Sequence, residues 1–229
     1  MTLAGKPIKR PLLVDEIATR LRSDILNGHL QPGQRIPVAS IARDLGVSHI
    51  PVREAIRRLE AESLVGTIPH QWPVVAGVRL EELHEIYTLR RLIEGDLARR
   101  AVGCYTDADI TQIQGAAQRL WAADPKDPDG DFWTAHRAFH WAVLRPAMDS
   151  WSERILGLLW QSAERYHRLF TLVFGSLTEA HAEHRALTEA AAAKDQQALV
   201  RVLVSHLHRT EQTVTTGYLE ATARQDGLG

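Results

Sequence analysis

Ile41-Ala42-Arg43-Asp44-Leu45-Gly46-Val47-Ser48, continued through His49-Ile50 into Pro51-Val52-Arg53-Glu54-Ala55-Ile56-Arg57-Arg58-Leu59-Glu60, decides how the first part of the chain folds. Val38, Ile41, Ala42 and Leu45 form a short apolar stripe at helical spacing, and the stripe stops at Gly46. Val47-Ser48 restarts the chain. Ser48 has the side chain of an N-cap, and Val52, Ala55, Ile56 and Leu59 then repeat as the buried face of a further helix. Two short helices joined by a glycine turn predict a helix-turn-helix.

Working outward, Leu13, Ile17, Leu21 and Ile25 recur as one face of a preceding helix that Asn27-Gly28 can end in a left-handed turn. Gln31-Pro32-Gly33-Gln34 is a turn. Leu64 to Ile68 and Val74 to Val78 are short β-prone runs separated by Pro69-His70-Gln71-Trp72-Pro73, which predicts a hairpin, or wing, after the helices. From Leu80 onward the strand signal disappears. Helical patterns run over Leu80 to Val102, Thr106 to Ala122, Phe132 to Leu144, Trp151 to Val173, Leu177 to Ala193 and Gln196 to Ala223, with a polar loop at Asp124 to Gly130. The expected fold is therefore mainly α: an N-terminal winged helix-turn-helix over residues 1–77 and an all-helical bundle over 78–229.

Composition sets the outer limits. The 229 residues are 45% hydrophobic and 24% charged, an ordinary globular mixture that excludes collagen-like and wholly disordered chains. A single cysteine, Cys104, cannot form an internal disulfide, and no run is apolar enough for a membrane span, so a cytoplasmic protein with no membrane association is expected. The net charge of −1 hides an asymmetry, because Met1 to Val75 carries +3 and the remainder −4. Such a basic first part permits phosphate binding. Eight of the eleven histidines lie after residue 76.

A helix-turn-helix reads DNA by laying its second helix in the major groove, with base contacts from the first turns. Those turns begin at Ser48 here, and Arg53 and Arg57, four residues apart, project on one face. An arginine fork takes guanine O6 and N7 or clamps phosphate. On an isolated helix, Arg53, Glu54, Arg57 and Glu60 would equally make a solvated face laced with ion pairs.

Together with Pro32-Gly33 and Arg35-Ile36, the quoted stretch resembles the DNA-binding domain of the GntR family of bacterial transcription regulators, and the helical remainder is similar to the FadR-type (FCD) ligand-binding domain. The resemblance implies a homodimer on a near-palindromic double-stranded DNA operator, whose affinity for DNA responds to a metabolite. It implies DNA contacts from Arg35, Ser48, His49, Ile50, Arg53, Arg57, His70 and Gln71. Two departures stand out. Ser48-His49-Ile50-Pro51 replaces the usual Ser-Arg-Thr-Pro, and Gln71-Trp72 replaces the usual Arg-Gly of the wing, so operator preference should differ. Between two prolines, the Trp72 indole is expected to pack against its own hairpin.

His136 and His140 lie at i and i+4, which puts two imidazoles on one helix face where they can chelate a metal, although exposed pairs also occur without one. Resemblance to the metal-binding FCD regulators places ligands at an Asp-x-x-x-His pair, a Glu-His pair on a later helix and a His in the last helix. His136 and His140, Glu183-His184, and His206 occupy those places, with His136 standing where the family has aspartate. His181 and His208 are expected to face solvent. Four neutral imidazoles suit a borderline divalent metal such as Zn or Ni, and they leave its +2 charge uncompensated, which favours a small carboxylate effector. The resemblance adds Arg90 as the arginine of the effector cavity, with Tyr87, Asp149 and Trp160 as further wall candidates; Arg90 would otherwise pair with Glu94 on the surface.

The leading reading is thus a ligand-responsive regulator and not an enzyme. One alternative is a regulator whose signal is the metal ion itself. The other is a metal-dependent hydrolase, for which Glu183 is a poor general base because it points about 100° away from its neighbour His184.

Overall fold

A computed structural model describes residues 10–67, 72–77, 79–124, 131–168 and 177–226. His70, Gln71 and the greater part of the polar loop, 125–130, lie outside the described residues. The chain divides into two compact units, Met1–Val78 and Arg79–Gly229.

The first unit holds α1 (Arg10–Leu26), α2 (Val38–Asp44), α3 (His49–Ala61), β1 (Val65–Thr67) and β2 (Pro73–Val75). Gly46 makes the turn between α2 and α3 with φ of +64°, a conformation that costs a residue with a Cβ and suits glycine. Ser48 stands at the N-cap of α3 with extended backbone, but its side chain makes no capping hydrogen bond. The face expected of α3 is the one buried: Val52, Ala55, Ile56 and Leu59 all pack into the core. On α1 the buried stripe is offset from the expected one, since Val14 and Ala18 join Ile17, Leu21 and Ile25 inside while Leu13 is left partly exposed. α3 packs on α1, where a 3.6-residue period lets neighbouring positions share the burial.

The wing is antiparallel, pairing Val65 with Val75, Gly66 with Val74 and Thr67 with Pro73. Its second strand starts one residue earlier than expected, at Pro73, because the segment after the first turn joins the sheet. The Ile36 amide donates to the Pro73 carbonyl at 2.8 Å, and the Val75 amide donates to Gln34 at 2.9 Å. Proline tolerates this position because the bond uses its carbonyl and needs no N–H. Ile36, Leu64, Val65 and Val75 close the core beneath the wing.

The second unit contains α4 (Leu80–Ala101), α5 (Asp107–Ala122), α6 (Phe132–Leu144), α7 (Ser150–Tyr166), α8 (Leu177–Ala192) and α9 (Gln196–Asp226). Two of its helix starts are chemically marked. Thr106 and Asp109 form a capping box at α5, and Asp149 and Ser152 do so at α7, satisfying amides that a helix leaves without partners. α4 packs on α9, α7 and α6, while α5 lies against α6 and α8. Among the described residues, buried polar side chains gather in the interior: Arg90, Glu94, His136, His140, His184 and His206 from α4, α6, α8 and α9, with Arg165, His167 and Glu211 also buried. No described helix is long and apolar enough to cross a membrane.

Leu59 is completely buried in the first unit, so Leu59→Ala should cost about 2–5 kcal/mol through lost apolar contact and the cavity left behind. Urea unfolding of the variant is the measurement, and a loss below about 1 kcal/mol would contradict this core assignment.

Candidate functional site

α6 carries His136 and His140 one turn apart, and the bundle brings His184 from α8 and His206 from α9 to them. One ring nitrogen from each of the four lies within 4.8 Å of the others, and all four residues are buried. His140 Nε2 and His184 Nε2 approach to 3.3 Å. Ring centroids of His184 and His206 are 4.8 Å apart, as are those of His136 and His140. Burial is the first cause that holds His136, His140 and His184 well below the ordinary imidazole range, with neighbouring histidines adding to it. Burial first and the Arg90 cation second bring His206 down to about 4. Four neutral, lone-pair-bearing nitrogens facing one another fit a divalent ion, which needs imidazole in this unprotonated form.

Glu183, next to His184 on α8, accepts a hydrogen bond from His206 Nδ1 at 2.8 Å, and its other oxygen is paired with Arg209. The Nδ1 of His184 is buried without a hydrogen-bond partner among the described residues. Of the two histidines expected to face solvent, His208 is exposed and His181 is half-buried.

Arg90 is only 2% exposed and does pair with Glu94, its Nε donating at 2.7 Å, so the pairing expected for a surface arginine takes place inside the bundle. The guanidinium lies 4.2 Å over the Trp160 ring, and the Trp160 indole N–H donates to the same Glu94 oxygen at 3.1 Å. Glu94 Oε2 is left without a partner. Tyr87 is fully buried and hydrogen-bonded to His167 Nε2, and burial raises its hydroxyl pKa. His167, just past α7, was not singled out by its spacing. It is buried, 6.1 Å from the His136 ring, and held well below the usual imidazole range by burial and then by Arg90. Only the fold could reveal it, since nothing in sequence ties residue 167 to residue 136.

Asp149 is corrected by the structure. Its carboxylate is exposed and accepts from the Trp151 and Ser152 amides at 3.0 and 2.8 Å, so it caps α7 and is not a wall residue. Those amide bonds hold its pKa down.

On the first unit, Ser48, His49, Arg53 and Arg57 are exposed, as is Ile50. Arg58 is paired with Asp15 of α1, whereas Arg53 and Arg57 form no ion pair with any described residue. Trp72 is not buried against its own hairpin as expected. It stays 54% exposed and stacks under the Arg35 guanidinium, 3.2 Å from the ring centre.

Residues 13–71 match the family described as bacterial regulatory proteins, gntR family, and residues 85–209 match the FCD domain. The HTH-type transcriptional regulator BphR of Paraburkholderia xenovorans is 29% identical over 209 residues, covering 88% of this chain and 85% of the relative. The HTH-type transcriptional repressor GlaR of Escherichia coli is 27% identical over 195 residues, covering 82% and 89%. Among solved structures, E. coli McbR/YncC aligns with a TM-score of 0.73 at 25% identity over 90% of this chain and 98% of that one. A GntR structure from Rhodococcus sp. RHA1 shares the fold, with a TM-score of 0.75 at 22% identity over the same shares. The chain belongs to the GntR family of bacterial transcription regulators, as a member with a helix-turn-helix DNA-binding domain followed by an FCD domain.

Proposed function

We propose that this DNA-binding regulator acts as a homodimer on a near-palindromic operator, and that a divalent metal with a small carboxylate effector in the helical unit sets its affinity for DNA. The observation that carries the reading is the meeting of four buried, neutral imidazoles from three helices. A purely structural core has no use for such a set, since each imidazole nitrogen taken out of water needs a partner to offset its desolvation.

His136, His140, His184 and His206 would hold the ion, and borderline metals such as Zn or Ni match this donor set better than Mg or Ca do. When bound, the ion supplies a Lewis-acidic positive centre. The surrounding chain does the rest: Arg90 offers a buried guanidinium whose partner Glu94 engages its Nε, and Tyr87 brings a buried hydroxyl on the same helix. A carboxylate entering between the ion and Arg90 would find positive charge on two sides. The Glu94 and Glu183 carboxylates nearby temper that charge, so the imidazole set is not the whole electrostatic environment. Effector binding shifts an equilibrium only by its differential affinity for two states, about 1–3 kcal/mol in typical allosteric proteins.

Two copies are required for two half-sites. Leu89 and Leu92 on α4 and Trp151, Ile155 and Leu158 on α7 are exposed on helices that pack together. The three α7 residues fall at i, i+4 and i+7, one continuous face of the kind a second copy covers. On the DNA side, Arg53 and Arg57 supply guanidiniums with no ion pair to a described residue, Ser48 a hydroxyl not spent on capping, and His49 and Ile50 the exposed start of α3. Arg35 is presented from the wing on the Trp72 ring, which replaces part of the cationic character lost with the usual Arg-Gly pair. A regulator answering to the ion alone stays the second reading, since the four imidazoles suffice for it.

Removing two ligands, in His140→Ala with His206→Ala, should abolish stoichiometric metal in the purified protein by elemental analysis; unchanged content would reject the site. Arg53→Ala should weaken operator binding roughly 10- to 100-fold with the sedimentation coefficient unchanged. Normal operator affinity would remove Arg53 from the contacts. In the metal-free protein, the depressed imidazole values mean that the unfolded chain binds more protons than the folded one. Stability is thus complete above the ordinary 6.5 and is lost as pH falls towards about 4. Denaturant unfolding at stepped pH should show this decline, with a shallower slope in the double variant; equal slopes would contradict it.

A further inference from the structure

We infer that Glu183 is a positioning residue for the histidine cluster, fixing His206 in the tautomer that turns its Nε2 towards the other three imidazoles; the inference rests on the metal reading above. The carboxylate has no proton to give, so the 2.8 Å bond at His206 Nδ1 requires the imidazole proton to be there. With that proton on Nδ1, a neutral ring has Nε2 as its lone-pair nitrogen, the atom a metal ion would take. The carboxylate is itself held from behind by Arg209, which also reaches Glu179 at 3.7 Å.

The helix geometry explains why one segment does both jobs. Consecutive residues on α8 point about 100° apart. His184 is buried among the other imidazoles, while Glu183 reaches round to the outer edge of the His206 ring. His184 has no such partner at its own Nδ1 among the described residues, so the imidazoles are not equivalent: His206 is oriented by a partly buried carboxylate. Outer-sphere partners of this kind change metal affinity 10- to 100-fold when removed. Glu183 also lines an outer groove of about 390 Å³ between α8 and α9, with Arg201, Ser205 and Arg209. A shorter side chain there opens onto the groove and leaves no void inside the apolar core.

The test compares wild-type protein with Glu183→Ala and Glu183→Gln. Zinc affinity is read by competition with a chromophoric chelator, metal-free stability by thermal melting, and the His206 tautomer by imidazole nitrogen NMR on metal-free protein. Glu183→Ala should bind zinc 10- to 100-fold more weakly and show mixed His206 tautomers, while its metal-free melting stays within a few degrees. Glu183→Gln should recover most of the affinity, because the amide oxygen still accepts from Nδ1. Wild-type zinc affinity in Glu183→Ala, or weaker binding with the tautomer unchanged, would overturn the inference. Should Glu183→Ala not fold, a wild-type His206 protonated at Nε2 would overturn it equally. A wild-type protein that binds no zinc or nickel defeats the metal reading itself, a different outcome from binding that is indifferent to Glu183.

Discussion

Placing an imidazole inside a helical bundle removes water from two nitrogens, and the protein must then provide for both of them. The second unit does this four times at one point, with His136, His140, His184 and His206 drawn from α6, α8 and α9. Holding these rings neutral and close constrains what surrounds them. Glu183 takes the outer proton of His206, the indole of Trp160 tilts across His140 with ring centres 5.0 Å apart, and the Arg90–Glu94 pair lies within electrostatic reach. The apolar packing of α4 on α9 and α5 on α6 encloses a polar centre in which the His184 Nδ1 finds no partner among the described residues.

The DNA-reading unit obeys a simpler rule. Its core is a single apolar cluster, and the polar face of α3 is what remains once Val52, Ala55, Ile56 and Leu59 have been buried. Arg53, Arg57 and Arg58 are all exposed on α3; Arg58 is paired with Asp15 of α1, and Arg53 and Arg57 form no ion pair with any described residue. Beside the wing, the exposed Trp72 ring lies under the Arg35 guanidinium.

What could be read from the sequence follows from the range of each interaction. The helix-turn-helix was legible because its signals are local: a 3.6-residue stripe, a glycine turn and the start of α3 all fall within about 25 residues, quoted at the outset. The bundle helices were legible for the same reason, and so was the i, i+4 pairing of His136 with His140. Adding His184 and His206 needed the family resemblance, since no spacing rule links residues on different helices. His167 and the Glu183–His206 bond stayed hidden because they depend on how α7, α8 and α9 pack. Asp149 misled for a local reason. Followed by a Ser at the third helical position, an aspartate is a capping residue first, and the Asp149–Ser152 box was the signal to weigh. Trp72 is expected to be buried against its own hairpin, but it meets Arg35 from the segment before α2 that bridges to the second strand, a contact no local signal marks.

The central claim is that four imidazoles and no other side chain bind one ion inside the helical unit. X-ray absorption spectroscopy of the zinc-loaded full-length protein tests it most directly. The account predicts one ion per chain with nitrogen neighbours at roughly 2.0–2.1 Å and the outer-shell scattering of several imidazole rings. A shell of sulfur, or of oxygen without imidazole scattering, would contradict it.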